Sequence, residues 1–202
     1  MRNACLPVLA AASILCGARD LRAADRYVAQ GGQTPSGGYT SWSIAASNIQ
    51  QAVDAAGAGD TIWISNSTYT AAAGSQVVES RKPVTLNGAS GDPADGILDG
   101  QNARRARYVN NPTSPLAIRL EGLTLRNGYA SSGGGVYLTF TNNTTGYVEV
   151  VRCAIRGNVS SSAGGGVYAA GPTNAIVDLR LTDTLLSANE ISDASQWNRG
   201  GG

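Results

Sequence analysis

The sequence has no histidine, and only one lysine, one methionine and one phenylalanine, in 202 residues. Without histidine there is no Ser-His-Asp or Cys-His nucleophile system, no imidazole acid-base and no His-ligated metal. Charge is scarce as well: 14% of residues are charged, 15 basic against 14 acidic. That balance excludes the basic excess of a nucleic-acid or anionic-membrane binder, so no nucleic-acid partner is expected. Beyond the N-terminus no apolar run is long enough to cross a membrane as a helix, so the segment is not expected to be an integral membrane protein. Disorder is disfavoured by a hydrophobic content of 42%. What the chain has in abundance is glycine, 26 residues with no strict period of three. That excludes collagen and favours a turn-rich β structure.

The N-terminus has the pattern of a secretory signal, assigned to residues 1–24. Arg2 supplies the positive start, and the apolar run from Ala4 to Ala18 is too short to span a bilayer. Cys16-Gly17-Ala18 fits the small-x-small cleavage rule, with a second cut after Ala24 that places Arg22 at an unfavourable position. A cut after Ala24 leaves 12 basic and 13 acidic residues and Cys153 as the one cysteine. An exported chain with a single thiol has no intramolecular disulfide and relies on packing and hydrogen bonds.

Residues 25–202 carry an internal repeat. Gly133-Gly134-Gly135-Val136-Tyr137 recurs 31 residues later as Gly164-Gly165-Gly166-Val167-Tyr168, and Asn127, Asn158 and Asn189 share that spacing. Within each unit the apolar residues alternate: Ile118, Leu120, Leu123 and Leu125, then Val148, Val150, Cys153 and Ile155, then Leu179, Leu181, Thr184 and Leu186. Alternation is a strand pattern, and short strands joined by glycine corners at a fixed period predict a parallel β-helix. The regular repeats of period 31 are assigned to 116–202 and an N-terminal cap region to 25–60. Inward ladders Leu120/Val150/Leu181 and Leu125/Ile155/Leu186 are expected, with an asparagine ladder of Asn127, Asn158 and Asn189 at a corner. Outward Arg119, Glu149 and Arg180 alternate in sign, as a parallel stack requires. Strands are expected at Thr61–Ile64, Val84–Leu86 and Ile97–Leu98. Ile49, Ala52, Val53 and Ala56 lie at helical spacing, with Ser47 as N-cap and Gly57 as stop, and this helix is expected to cover the N-terminal end of the stack.

The Gly-Gly-Gly-Val-Tyr corners, the stretch from Cys153 to Asn158, and the N-terminal blocks Ala24–Val28, Ile49–Val53, Gly59–Trp63 and Thr68-Tyr69 resemble the right-handed parallel β-helix proteins of the pectate-lyase-like superfamily. The resemblance covers nearly all of the chain after the leader. It implies a secreted or surface bacterial protein, either a polysaccharide-degrading enzyme or an adhesin-like solenoid. The fold alone does not choose between them.

Lyases of that family hold Ca²⁺ with acidic residues and use an Arg or Lys base. The Arg-x-Pro-x-x-Arg motif often found in them is absent here. Lys82 is expected to be an exposed coil residue. Asp178 and Asp183 are read as structural rather than as a hydrolytic carboxylate pair. Asp92, Asp95 and Asp99 are read as turn residues rather than a calcium loop. Arg126 and Arg156 are expected to stack in adjacent coils, where two guanidiniums repel unless an anion compensates them. Arg152 and Asp183 occupy matched positions where they could pair. These four residues form the candidate ligand site, with a uronic-acid carboxylate as the ligand. Tyr137 and Tyr168, with Tyr129 and Trp197 as further platforms, could stack on sugars but are expected to pack over the glycine corners. Cys153 is expected to be an inert core thiol. Asn66-Ser67-Thr68 and Asn142-Asn143-Thr144 are formal glycosylation sequons of little weight in a bacterial host.

The expected function is a secreted or cell-surface solenoid that binds carbohydrate or a partner without catalysis. The alternative is a lyase or hydrolase acting on acidic polysaccharide. No catalytic residue, metal or cofactor is assigned, Ca²⁺ entering only with the lyase alternative. Gly200-Gly201-Gly202 stands where another Val-Tyr and strand are due, so the chain is expected to be a fragment whose uncapped end invites end-to-end association.

Overall fold

The computed structural model describes residues 23–192 apart from 72–73, 75 and 111–115. The leader up to Arg22, Trp197 and Gly200-Gly201-Gly202 lie outside the described residues.

The chain winds as a parallel β-solenoid. Its longest sheet has six strands in the order β1 (Asp25–Val28), β2 (Thr61–Ile64), β5 (Thr85–Gly88), β8 (Leu116–Glu121), β12 (Thr145–Val151) and β16 (Ile176–Thr182). A second sheet stacks β3 (Ser67–Tyr69), β6 (Gly96–Asp99), β9 (Thr124–Arg126), β13 (Ala154–Arg156) and β17 (Leu185–Ser187). A third stacks β4 (Gln76–Ser80), β7 (Arg105–Asn110), β11 (Val136–Thr139) and β15 (Val167–Ala170), and a fourth β10 (Tyr129–Ser132), β14 (Val159–Ala163) and β18 (Glu190–Ile191). Every ladder between named strands is parallel. The bend from first to second sheet is made at Gly122, Arg152 and Asp183, whose φ angles are 60°, 47° and 49°. Such left-handed corners turn the chain within one residue.

Residues at equal height face one another as expected. Ile62, Leu86, Leu120, Val150 and Leu181 form one inward ladder. Tyr69, Leu98, Leu125, Ile155 and Leu186 form another. Burying each such aliphatic side chain contributes about 1.5–3 kcal/mol. Arg107 interrupts a third ladder, between Val78 and Val136. It is fully buried, its Nη2 donates to Ser80 Oγ at 2.6 Å, and its Nε and Nη1 have no partner among the described residues. Burial pushes its pKa down to about 10, against the upward pull of Glu79. Alternation reads position 107 as inward but offers no hint that an arginine stays there.

Asn127 does not join the expected asparagine ladder. β8 and β12 pair at an offset of 30 residues, Ile118 facing Val148, whereas β12 and β16 pair at 31, Val148 facing Leu179. The extra residue of the first step enters between β10 and β14, where the register slips from Ala130 facing Ser160 to Ser132 facing Ala163. The glycine corners beyond the slip keep the 31-residue spacing, Val136 facing Val167. Before it, Asn127 falls one residue early. It takes the left-handed corner position, φ 50°, that Gly157 and Ala188 take in the next coils. Asn158 and Asn189 do stack: Asn158 Nδ2 donates to Asn189 Oδ1 at 2.9 Å and to Leu125 O at 3.1 Å, and Asn189 Nδ2 donates to Ile155 O at 2.8 Å. Asn158 Oδ1 also accepts from the Gly128 N–H at 2.7 Å.

Helix α1 (Ile49–Ala55) buries Ile49, Ala52 and Val53 against β1, β2 and β4 and covers that end of the core. Its N-cap is Asn48 rather than Ser47, since the Asn48 carboxamide oxygen accepts the Gln51 N–H at 3.0 Å. The Ser47 N–H instead bonds Gln51 Oε1. Lys82, expected as an exposed coil residue, is half-buried and closes the other end: Nζ donates to Ala56 O at 2.6 Å and Asp54 O at 3.2 Å. Asp60 fastens the region, accepting from the N–H groups of Ala24 and Gly57 at 2.8 Å each and from Arg26 Nε at 3.0 Å. Burial opposes its charge, but the two backbone donors and Arg26 outweigh it and hold its pKa below the ordinary carboxylate value.

Asn158→Ala strips partners from the buried Gly128 N–H and Leu125 carbonyl, and is expected to cost about 2–4 kcal/mol in urea unfolding. Asp60 has a lower pKa folded than unfolded. Its contribution is therefore complete above about pH 4 and lost as pH falls through the folded value. Asp60→Asn is expected to destabilise at pH 7 and to make unfolding less steeply dependent on pH below about 4, measured by urea titrations at acidic pH.

Candidate functional site

Arg126 and Arg156 stack as expected, in a column that runs Asp99, Arg126, Arg156, Ser187 along the second sheet. The compensating anion is Asp99, one coil below. Its Oδ2 accepts from Arg126 Nε at 2.8 Å, and its Oδ1 accepts from Asn127 Nδ2 at 3.1 Å and from the Gln101 N–H at 2.9 Å. Asp99 is buried, which works against its charge, but these donors prevail and hold its pKa low. Arg126 is thereby neutralised. Arg156 is exposed and has no hydrogen-bond or ion-pair partner among the described residues. A shallow depression of about 280 Å³ lies here, lined by Arg126, Asn127, Arg156, Gly157, Ser187 and Ala188. One unpaired guanidinium beside an amide and a hydroxyl is suited to a carboxylate, which it can hold through two parallel N–H bonds.

Arg152 and Asp183 do not pair. Both sit at the left-handed bend, and the Arg152 guanidinium instead bonds Glu121 of the coil below. Glu121 also takes Arg119 Nε at 2.7 Å. The Arg119 bond chiefly, aided by Arg152, holds the Glu121 pKa low despite burial. Asp178 points outward on β16 and pairs with Arg180 at 2.7 Å, so it does not join Asp183 as a carboxylate pair. Asp92 caps its own turn through the Ala94 N–H, and Asp95 accepts from Asn66. Among the described residues no group of three or more Cys, Asp or Glu side chains is placed to hold a metal ion.

Tyr137 and Tyr168 belong to a longer stack. Tyr108 and Tyr137 are 5.2 Å apart at 9°, Tyr137 and Tyr168 5.6 Å apart at 25°, and the Arg105 guanidinium lies 4.6 Å from the Tyr137 ring centre. Ring faces that cover one another are closed to a sugar, which favours packing for this ladder. Tyr108 and Arg105 escaped sequence analysis because no Gly-Gly-Gly precedes them. The offset from β7 to β11 is 29 residues, Tyr108 facing Tyr137, so counting back by the 31-residue period lands on Ala106 and misses the tyrosine.

A second concavity, about 500 Å³, lies on the outer face of the six-stranded sheet beside Tyr147, which is 51% exposed. The predicted Arg119, Glu149, Arg180 column lines it. Arg119 pairs with Glu121 and Glu149, and Arg180 with Asp178, so these cations already have anions. Tyr147 was missed, although its place two residues before Glu149 puts it on the same face.

Cys153 is 2% exposed on an inward position, and burial raises its thiol pKa to about 11. A thiol reagent at pH 8 is expected to leave it unmodified in the folded protein and to label it stoichiometrically in denaturant, read by mass spectrometry.

Comparison with protein-family models, with curated proteins and with solved structures finds no match to this chain.

Proposed function

We propose that the chain is a secreted or cell-surface β-solenoid that binds acidic polysaccharide without cleaving it. The Arg126–Arg156 depression is the contact for a uronate carboxylate. One observation carries this: Arg156 is exposed and without an anion among the described residues, beside an arginine whose own charge Asp99 already meets. Repetition suits such a ligand, because a polymer offers a charge at regular intervals. The groups around the depression are guanidinium, amide and hydroxyl, which bind and orient but do not exchange protons readily near pH 7. Export follows from the leader pattern. A cut after Ala18 keeps the Ala24 N–H on Asp60, whereas a cut after Ala24 removes that donor.

The test is calorimetric titration against polygalacturonate and alginate. Arg156→Ala is expected to weaken binding by at least about tenfold, the loss of one charge-assisted contact. Arg126→Ala with Arg156→Ala is expected to weaken it no less. Unchanged affinity in the double variant would refute the site. Ultraviolet absorbance from unsaturated uronates, appearing only with Ca²⁺, would replace the binding function with a lyase.

A further inference from the structure

Tyr129 is 45% exposed and lies in the middle coils, one corner away from the arginine depression. Unlike Tyr137 and Tyr168 it is not a repeated aromatic. Val159 and Glu190 stand at its height in the next two coils. Among the described residues no ring, cation or hydrogen-bond partner meets its side chain. Neither stacking nor a polar contact therefore accounts for it.

The corner sets where the ring stands. Arg126 ends β9, Asn127 turns left-handed with φ 50°, and Tyr129 opens β10. The Tyr129 N–H donates to Arg104 O of the coil below at 2.8 Å, and the Gly128 N–H to Asn158 Oδ1 of the coil above at 2.7 Å, so the corner is held from both sides. It is also tight, since a Cβ on Gly128 would collide with Gly134 O. Three residues span at most about 11 Å, and adjacent coils lie about 4.8 Å apart. The ring and the two guanidiniums thus fall within the reach of a short oligosaccharide.

The surface around the ring is polar. Ala130 faces the fully buried Ser160, so Tyr129 and Ser131 turn outward. Ser131 and, in the coil above, Ser161 and Ser162 are exposed, with no side-chain partner among the described residues. An aromatic face bordered by hydroxyls matches a sugar ring, which presents C–H groups on its faces and hydroxyls around its edge.

We propose that the site takes two consecutive sugars of an acidic polysaccharide, an inference that rests on the uronate reading of the arginine depression. One sugar gives its carboxylate to Arg156. The next lies with its apolar face on Tyr129 and its hydroxyls toward Ser131 and Ser161. The bound polymer therefore crosses the corner from β9 to β10, and Tyr129 selects an oligosaccharide over a single sugar acid.

Nitration of tyrosines, read by peptide mass spectrometry, tests the contact in the unaltered chain, with the trisaccharides of galacturonate and of alginate as probes. Tyr147, 51% exposed on another sheet, is the control. The trisaccharide that binds is expected to protect Tyr129 and to leave Tyr147 reacting as before. In calorimetric titration Tyr129→Ala is expected to weaken trisaccharide binding about fivefold, and Tyr129→Phe, which keeps the ring, less than about twofold. Should Tyr129→Ala fail to fold by circular dichroism, protection in the unaltered chain still decides. If Arg156→Ala weakens binding while Tyr129 is not protected, or while Tyr129→Ala binds undiminished, this inference falls and the uronate site stands. If Arg156→Ala binds undiminished, or the unaltered chain binds neither trisaccharide, both fall.

Discussion

Each strand bonds to its equivalent in the next coil, about 4.8 Å away, so every side chain has a copy of its own position as its neighbour. Whatever is good next to itself can repeat, and whatever is not must change from coil to coil. Leucine, isoleucine and valine repeat without cost, and they make up the inward ladders. Tyrosine repeats too, by stacking its rings at Tyr108, Tyr137 and Tyr168. Like charge repeats only against repulsion. The outward column therefore runs Arg119, Glu149, Arg180, and Asp99 stands below Arg126.

The same constraint makes Arg156 informative. It is the second of two like charges in its column, and the residue above it is Ser187. Arg119 and Arg152, by contrast, each reach a carboxylate at a neighbouring position, Glu121. Arg107 shows the opposite extreme, a cation drawn wholly inside with one serine hydroxyl for company. An unfilled interaction at the surface leaves room for a ligand. One in the core is a load on stability.

The architecture was legible because alternation and fixed spacing are properties of single positions. Ile118 through Leu186 align by eye, and the strands at Thr61–Ile64 and around Leu86 follow from the same pattern. The site was legible only halfway. That Arg126 and Arg156 meet follows from spacing, but that Asp99 neutralises one of them depends on a less regular coil with no matching motif. The asparagine error has the same root. A constant 31-residue period was read through a step that is 30 residues on one side of a bulge and 31 on the other. The N-cap at Asn48 rather than Ser47 is a one-residue choice that two adjacent good cappers leave open.

The bulge between β10 and β14 works as an expansion joint. An added residue at Ser161-Ser162 bulges outward, and the glycine corner that follows returns to alignment with the coil below. The ladders before and after this point are thus mechanically uncoupled in length. Coils of unequal size can share one core, and insertions or deletions gathered at this corner would leave both the Arg126–Arg156 face and the tyrosine stack in phase.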